Sequence, residues 1–599
     1  MKLSEWLMAS LADRGVRHVF FVSGGGAMHL NDSLGQCGRI EAIATLHEQG
    51  AAMAAETYAK IRNETGVCLV TTGPGGTNAL TGLAGAWLDS TPMLVVSGQV
   101  KRADLKGDTG VRQMGVQELD IVSMARPVTK YAVTVTDPSS IRFHLEKAWH
   151  LAASGRPGPV WLDIPLDVQG APIDPERLGG YDPGAEGAAE SAPDLAASVA
   201  RTLDELDRAE RPLLLVGNGV RLARAERELA EAMRALDIPV QVTWLGHDLV
   251  PDDQPLFAGR PGPVAPRGAN FALQNCDFLL SVGARLDLVV TGYAPRLFAR
   301  GATKVMVDID PAEIRKMGDA IHLGVRSDAR AFLAELVRQA AARRRRDHGA
   351  WFALIRGWLK RYPIVQPEYR GRPDGVSTYV LAEAISAVSG PGDVIVSGSS
   401  GAGIEIFLLA LRLRGGQRVT LTTALGAMGY CVPACIGASL AGNRRRVIAV
   451  DGDGGFQLNV QELETIRRLS LPIKLFVLNN GGYASIRTSQ LRYFGRLCGA
   501  DASSGVTLPD LRKVADAYGI PYASIATDTD LAEQVRRAVD GPGPLICEVR
   551  TPRDEPRAPS LSSVTKADGR MVSRPLEDLW PFLDREELRS NMLIPLLPE

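Results

Sequence analysis

Residues 448–460 read IAVDGDGGFQLNV, an apolar run followed by Asp451 and Asp453 interleaved with Gly452, Gly454 and Gly455. Such a run closed by glycine and acid reads as a buried strand ending in a turn. Residues 475–486, LFVLNNGGYASI, repeat the form, with Asn479 and Asn480 at the strand end and Gly481, Gly482 and Tyr483 behind them. A helix-compatible stretch separates the two, so the pair forms one β-α-β unit with parallel strands.

The same alternation extends along the chain. HVFFVSGGG (18–26), IEAIATL (40–46), GVCLVTTGPGG (66–76), TPMLVVSGQ (91–99) and PVWLDIPLD (159–167) are strand candidates in a first region, residues 1–172. Residues 173–195, polar and rich in Gly and Pro, read as a linker. A second series spans 196–345, with RPLLLVGNG, IPVQVTW, CDFLLSVGA and TKVMVDID. A basic helical stretch then leads into a third, 365–553, with DVIVSGSSG, RVTLTTALG, the two opening stretches and PLICEVR; a tail covers 554–599. The expected architecture is α/β, with three doubly wound parallel-sheet domains.

Composition narrows the function classes. The 599 residues are 45% hydrophobic and 23% charged, with a formal net charge of -1, so no field favours nucleic acid or an anionic membrane. The seven cysteines form no CxxC pair, as expected of reduced thiols in a cytoplasmic protein. Glu5 and Asp13 interrupt any signal-like apolar core, and no run reaches the length of a membrane span.

Asp453 and Asn480 stand at carboxyl ends of neighbouring parallel strands, where such sheets bind ligands. Both are hard oxygen donors suited to Mg²⁺ or Ca²⁺, and glycines let backbone N–H groups approach a phosphate. Singly, each stretch is ordinary turn punctuation. As a pair, they imply a divalent cation holding a diphosphate.

GDGGFQLN followed by LNN at this separation resembles the thiamine diphosphate motif. TLHEQGAAMAAETYAK (45–60), the segment from Val70 to Gln99 and RPGPVWLDIPLDVQ (156–169) resemble the pyrimidine-binding domain of acetolactate synthase-like enzymes. The likeness covers nearly the whole chain in matching order. It implies a pyrimidine-binding domain (1–172), a central domain (196–345) and a diphosphate-binding domain (365–553). The side chains of Asp453 and Asn480 and the Gly482 carbonyl would hold Mg²⁺, with Gly452, Gly454, Gly455 and Tyr483 beside the cofactor. Glu48 matches the glutamate that hydrogen-bonds the aminopyrimidine and promotes removal of the C2 proton; His47 beside it reads as structural. TTALGAMGY (422–430) resembles the family's GTMG segment, giving Met428 as the wedge that bends the cofactor and the Gly426 carbonyl as acceptor for its amino group. Gly401 and Gly403 fall on the phosphate loop, where Ala402 and Gly403 replace a Gln-His pair.

The likeness extends to a flavin. LVGNG, VTW, VGARLDLVVTG and VDIDPAEI match the FAD-binding series of acetolactate synthases, implicating Gly217, Asn218, Gly219, Thr243, Gly283, Arg285, Asp308 and Asp310. FAD would then serve without redox turnover. Two departures concern the acceptor. Val116, ahead of Gln117, replaces the family's Phe, and Ser489 replaces its Trp. Together they remove about 150 Å³ of side chain, enough for a cavity that holds benzene. Among relatives, the resemblance is nearest to yersiniose-type carboligases, which add the acetyl-anion equivalent of pyruvate to a nucleotide-linked keto-deoxysugar. Gln117 would face the substrate carboxylate or developing alkoxide, and the tail 554–599 would act as a lid. The alternative is a plain acetolactate synthase; a diketone hydrolase, a sulfoacetaldehyde acetyltransferase, a flavin oxidase and a non-catalytic scaffold are the remaining readings. A homodimer or homotetramer is implied, with the two ends of the cofactor on different subunits.

Overall fold

The computed structural model describes residues 1–186, 194–399, 401–565 and 571–597. Part of the expected linker (187–193) and parts of the tail (566–570 and 598–599) lie outside the described residues.

Three parallel sheets follow one another along the chain. The first contains β1 (His18–Phe21), β2 (Glu41–Ala44), β3 (Gly66–Val70), β4 (Met93–Gln99), β5 (Tyr131–Thr134) and β6 (Pro159–Pro165), in the order β2-β1-β3-β4-β6-β5. The second contains β7 (Pro212–Val216), β8 (Val240–Val242), β9 (Phe278–Val282), β10 (Thr303–Asp308) and β11 (Leu323–Arg326), ordered β11-β10-β9-β7-β8. The third contains β12 (Val394–Ser397), β13 (Arg418–Thr420), β14 (Val447–Gly452), β15 (Ile473–Asn479), β16 (Tyr522–Ile525) and β17 (Leu545–Arg550), ordered β13-β12-β14-β15-β17-β16. Strand for strand, the first and third sheets share one topology. Their central strands are wholly buried, as helices on both faces require.

One core cluster joins the first and third domains. Helix Glu48–Arg62 offers Ala51, Ala52, Ala54 and Ala55, and helix Cys431–Ala441 answers with Ala434, Gly437 and Ala438. Small residues let the two backbones approach closely, and Thr57 Oγ1 meets the Tyr430 hydroxyl at 2.8 Å across the seam. Helix Gly349–Arg361 packs Trp351, Ile355 and Trp358 into the core of the central domain, which therefore extends beyond 345. The tail is anchored there too. Leu576 and Leu588 join that cluster, and Asn270 and Gln274 bond the Leu576 carbonyl and the Glu577 carboxylate.

Candidate active site

The carboxyl ends of β14 and β15 lie side by side in register, with Gly452 opposite Leu478. Asp453 opens the short helix Asp453–Gln457 and is only 3% exposed. Its carboxylate accepts N–H bonds from Gly454 (2.8 Å), Gly481 (2.8 Å) and Gly482 (3.1 Å), which tie the two strand ends together. Burial pushes this carboxyl up to about 6, against the opposing pull of those amides. A cation in contact would favour its ionised form.

Close packing explains two of the glycines. A Cβ on Gly454 would stand 2.6 Å from Cδ1 of Tyr483 and nearer still to Cε1. Gly482 has φ +133°, and a Cβ there would run into the Ala500 carbonyl. Arg487, almost wholly buried, reaches the Asn480 carbonyl (3.1 Å) and carboxamide oxygen (3.4 Å) and the Arg553 carbonyl (2.6 Å). Asn480 is thus fixed from behind.

The loop after β12 completes this half. Gly401 lies against Ser485 at the start of helix Ala484–Phe494, and the Gly403 carbonyl accepts from Ser397 Oγ. Ser399 Oγ is buried with no partner among the described residues, as suits a hydroxyl awaiting an anion. Gly426 (φ +63°) and Met428 (41% exposed) occupy the turn after β13, which Asn459 holds through the Gly429 carbonyl at 2.8 Å. No group of three or more His, Cys, Asp or Glu that could hold a metal occurs among the described residues. The oxygen donors are instead one carboxylate, one carboxamide and the backbone, which fits a hard divalent cation carrying phosphate oxygens.

The first domain places its residues around a single helix, Pro74–Leu88. Half-buried Glu48 starts helix Glu48–Arg62 and accepts from Asn78 Nδ2 at 2.9 Å. His47 is the N-cap, its Nδ1 accepting from the Gln49 N–H at 3.0 Å, in line with the structural reading. The Gln117 carbonyl accepts from Thr72 Oγ1 and abuts Gly73, the N-cap of the Pro74–Leu88 helix. Val116 is 87% exposed and Ser489 turns its hydroxyl back to the Ile486 carbonyl. Among the described residues no hydrogen bond joins Glu48 to Asp453. Asn78, Ser399, Asn459, Glu462 and Arg487 were not singled out from the sequence. For Asn459 and Glu462 a signal existed, since NVQEL runs straight on from the glycine motif.

A cavity of about 570 Å³ lies at the carboxyl ends of the central strands, lined by Asn218, Gly219, Thr243, Gly283, Arg285 and Asp308 among others. Gly217 packs on Gly283 just beside them, and Arg285 (φ +59°) donates to the Leu88 carbonyl at 2.8 Å. Burial pushes Asp308 up to about 6, while Asp310 caps the next helix and pairs with Arg156 at 2.9 Å.

Fold and site together define a three-domain α/β protein whose last domain gathers a buried carboxylate, a carboxamide and glycine amides at two neighbouring strand ends. Family models for thiamine pyrophosphate enzymes match in the same order: the N-terminal TPP binding domain at residues 1–124, the central domain at 199–336 and the C-terminal TPP binding domain at 405–549. The chain is 33% identical to an acetolactate synthase of Arthrospira platensis over 93% of its own length and 95% of the relative's. It is 32% identical to the acetolactate synthase isozyme 2 large subunit of Escherichia coli strain K12, with 99% of each chain covered. It is also 32% identical to the chloroplastic acetolactate synthase of Arabidopsis thaliana, over 95% and 85% of the two chains. The protein belongs to the thiamine pyrophosphate-dependent enzymes, among the acetolactate synthase-like members. No helix among the described residues is long and apolar enough to cross a membrane.

Proposed function

We propose that the chain is a carboligase of the acetolactate synthase type, which releases CO2 from pyruvate and joins the remaining two-carbon unit to a keto acceptor. The observation that carries this reading is Asp453, buried in a cradle of glycine amides between two strand ends and adjoining Asn480. When bound, thiamine diphosphate supplies a carbon nucleophile for 2-keto acids. Asp453, Asn480 and the Gly482 carbonyl would hold Mg²⁺, Gly401, Gly403 and Ser399 would take phosphate, and the turn bearing Gly426 and Met428 would shape the ring end. Glu48 would share a proton with the aminopyrimidine ring. The central cavity, with Asp308 in its lining, supports a dinucleotide such as FAD bound in a structural role. Half-buried Glu48 and exposed Met428 would both be covered by a second copy, giving the homodimer.

Two acceptors separate by product. The relatives favour a second pyruvate as acceptor, giving acetolactate and CO2. The small side chains Val116 and Ser489, at positions where the family resemblance expects Phe and Trp, favour a bulky ketone, such as a nucleotide-linked keto-deoxysugar, giving a tertiary alcohol. Incubation with pyruvate, thiamine diphosphate and Mg²⁺, with and without a cyclic ketone, followed by product identification by mass spectrometry, tests both. Acetolactate alone supports the first and removes the second; release of acetaldehyde alone overturns the carboligase reading.

A further inference from the structure

Glu462 is wholly buried and opens helix Glu462–Arg468 in the third domain, on the segment that continues from Asp453. Its carboxylate does not face the cation cradle. Oε1 accepts the backbone N–H groups of Leu46 and His47, both at 3.0 Å, and Oε2 accepts from Thr465 Oγ1 at 2.8 Å. Those two amides immediately precede Glu48; His47 is the N-cap of its helix, so its N–H has no intrahelical acceptor, and Leu46 lies one residue further out.

The surroundings are built for this contact. A Cβ on Gly50 would stand 2.7 Å from Glu462 Oε1, so the helix approaches the carboxylate only because that position is glycine. Arg468 Nη2 donates to the Ala44 carbonyl at 2.7 Å, gripping the end of β2. Asn459 Nδ2 lies 3.8 Å from Met53 Sδ on the Glu48 helix while it bonds the Gly429 carbonyl beside Met428. One short segment of the third domain therefore touches the strand before Glu48, the loop at Glu48, the helix after it and the Met428 turn. Burial pushes the Glu462 carboxyl up, and the donors from Thr465, Leu46 and His47 pull against it.

We propose that Glu462 is a positioning residue for Glu48, setting the direction of its side chain by clamping the two amides ahead of it. The inference rests on the role given to Glu48 above. A carboxylate that must meet a ring nitrogen tolerates little displacement, since a shift of about 1 Å costs on the order of 10²-fold in rate. Removing the clamp frees the first turn of the helix without touching any oxygen of the cation cradle.

The test compares Glu462→Ala, Glu462→Gln, Gly50→Ala and Glu48→Gln in the full-length protein loaded with thiamine diphosphate and Mg²⁺. Hydrogen/deuterium exchange at the cofactor C2 is read by NMR after acid quench, cofactor and Mg²⁺ affinity by fluorescence titration, and backbone amide exchange by mass spectrometry without cofactor. For Glu462→Ala, C2 exchange is expected to slow about 10²-fold. Amide exchange should rise only around residues 44–51, and both affinities should stay as in the wild type. Glu462→Gln keeps an oxygen for the two amides and can donate to Thr465, so it should stay near wild type. Gly50→Ala, which pushes on Oε1 from the other side, should resemble Glu462→Ala. A wild-type C2 exchange rate in Glu462→Ala overturns the proposal. So does a loss in which Gln behaves like Ala and Mg²⁺ affinity falls in step, because that is general damage. If Glu48→Gln leaves C2 exchange unchanged, the role of Glu48 itself fails; if it slows exchange while Glu462→Ala does not, only the clamp fails.

Discussion

Gly454→Ala isolates the packing of the proposed cation cradle without changing any of its proposed ligands. The new methyl would lie 2.6 Å from Tyr483 Cδ1, whereas carbon atoms rest at about 3.5–4.0 Å, so the ring must recede by about an ångström. It cannot recede freely. Tyr483 follows Gly482, whose N–H bonds Asp453, and the Tyr483 N–H is tied to the Ala500 carbonyl at 2.8 Å. The strain therefore passes into the loop that presents Asn480 and the Gly482 carbonyl. Overpacking of this kind costs about 1–3 kcal/mol. If that cost falls on the bound geometry, Mg²⁺ affinity in the presence of thiamine diphosphate drops roughly 5- to 150-fold, at about 1.4 kcal/mol per factor of ten. The assay is a fluorescence titration of Mg²⁺ at saturating cofactor on Gly454→Ala, Tyr483→Ala and the double variant. The double variant should recover part of the loss, because truncating the ring makes room for the methyl. Wild-type affinity in Gly454→Ala, or strictly additive losses in the double variant, would refute the reasoning, since either means that the ring does not transmit the strain.

Asp453→Ala should abolish Mg²⁺-dependent cofactor binding and also lower the melting temperature of the cofactor-free protein. It strands three amide donors, each costing about 1–3 kcal/mol if left unpaired; unchanged cofactor affinity would sink the metal assignment. Val116→Phe with Ser489→Trp should lower turnover on bulky ketones about 10- to 200-fold relative to pyruvate. An unaltered product ratio in a competition assay would show that these positions do not set acceptor size. Asp163, held by Ser97, Gln99 and Thr134, has its carboxyl pushed up to about 7 by burial. The fold therefore favours its protonated form: its contribution is full below the ordinary aspartate range and is lost as pH rises toward about 7. Melting temperature measured across that window should fall less steeply in Asp163→Asn than in the wild type, and equal slopes would contradict the assignment.

Three strands of the main sheets escaped the sequence for one physical cause. β5, β11 and β16 each lie at a sheet edge, and none is buried along its length. A strand covered on both faces writes a continuous apolar run; an edge strand alternates weakly and looks like loop. Most strands read correctly carry such runs, β14 and β15 among them, although β2, an edge strand buried only at Ile43, is legible as well. The helix Gly349–Arg361 misled for a different reason. In sequence it reads only as part of a basic helical stretch leading into the third region, outside the central domain, but Trp351, Ile355 and Trp358 share the one face that the central domain buries.

Legibility of the site follows the same logic of distance. Asp453, Asn480 and their glycines announce themselves because one β-α-β unit brings them together, and register alone sets them side by side. Glu48 carried no comparable local signal and was found only through family likeness. The segment NVQEL marks Glu462 as following the glycine motif but not what it does, because its partners are 415 and 416 positions away in sequence. The carboxylate at 462 has meaning only once the first and third domains dock. That docking depends on the alanine and glycine faces of two helices, which composition cannot distinguish from generic core. The exposed residues point further outward. Val116 and Met428, half-buried Glu48 and the turn at Gly426 are surfaces that one chain leaves open, although the chemistry assigned to them requires exclusion of water. A site finished by a second copy reconciles burial of the cation cradle with exposure of its surroundings. Sedimentation of the cofactor-loaded enzyme should accordingly give a dimer or larger, and an active monomer would undo that reconciliation.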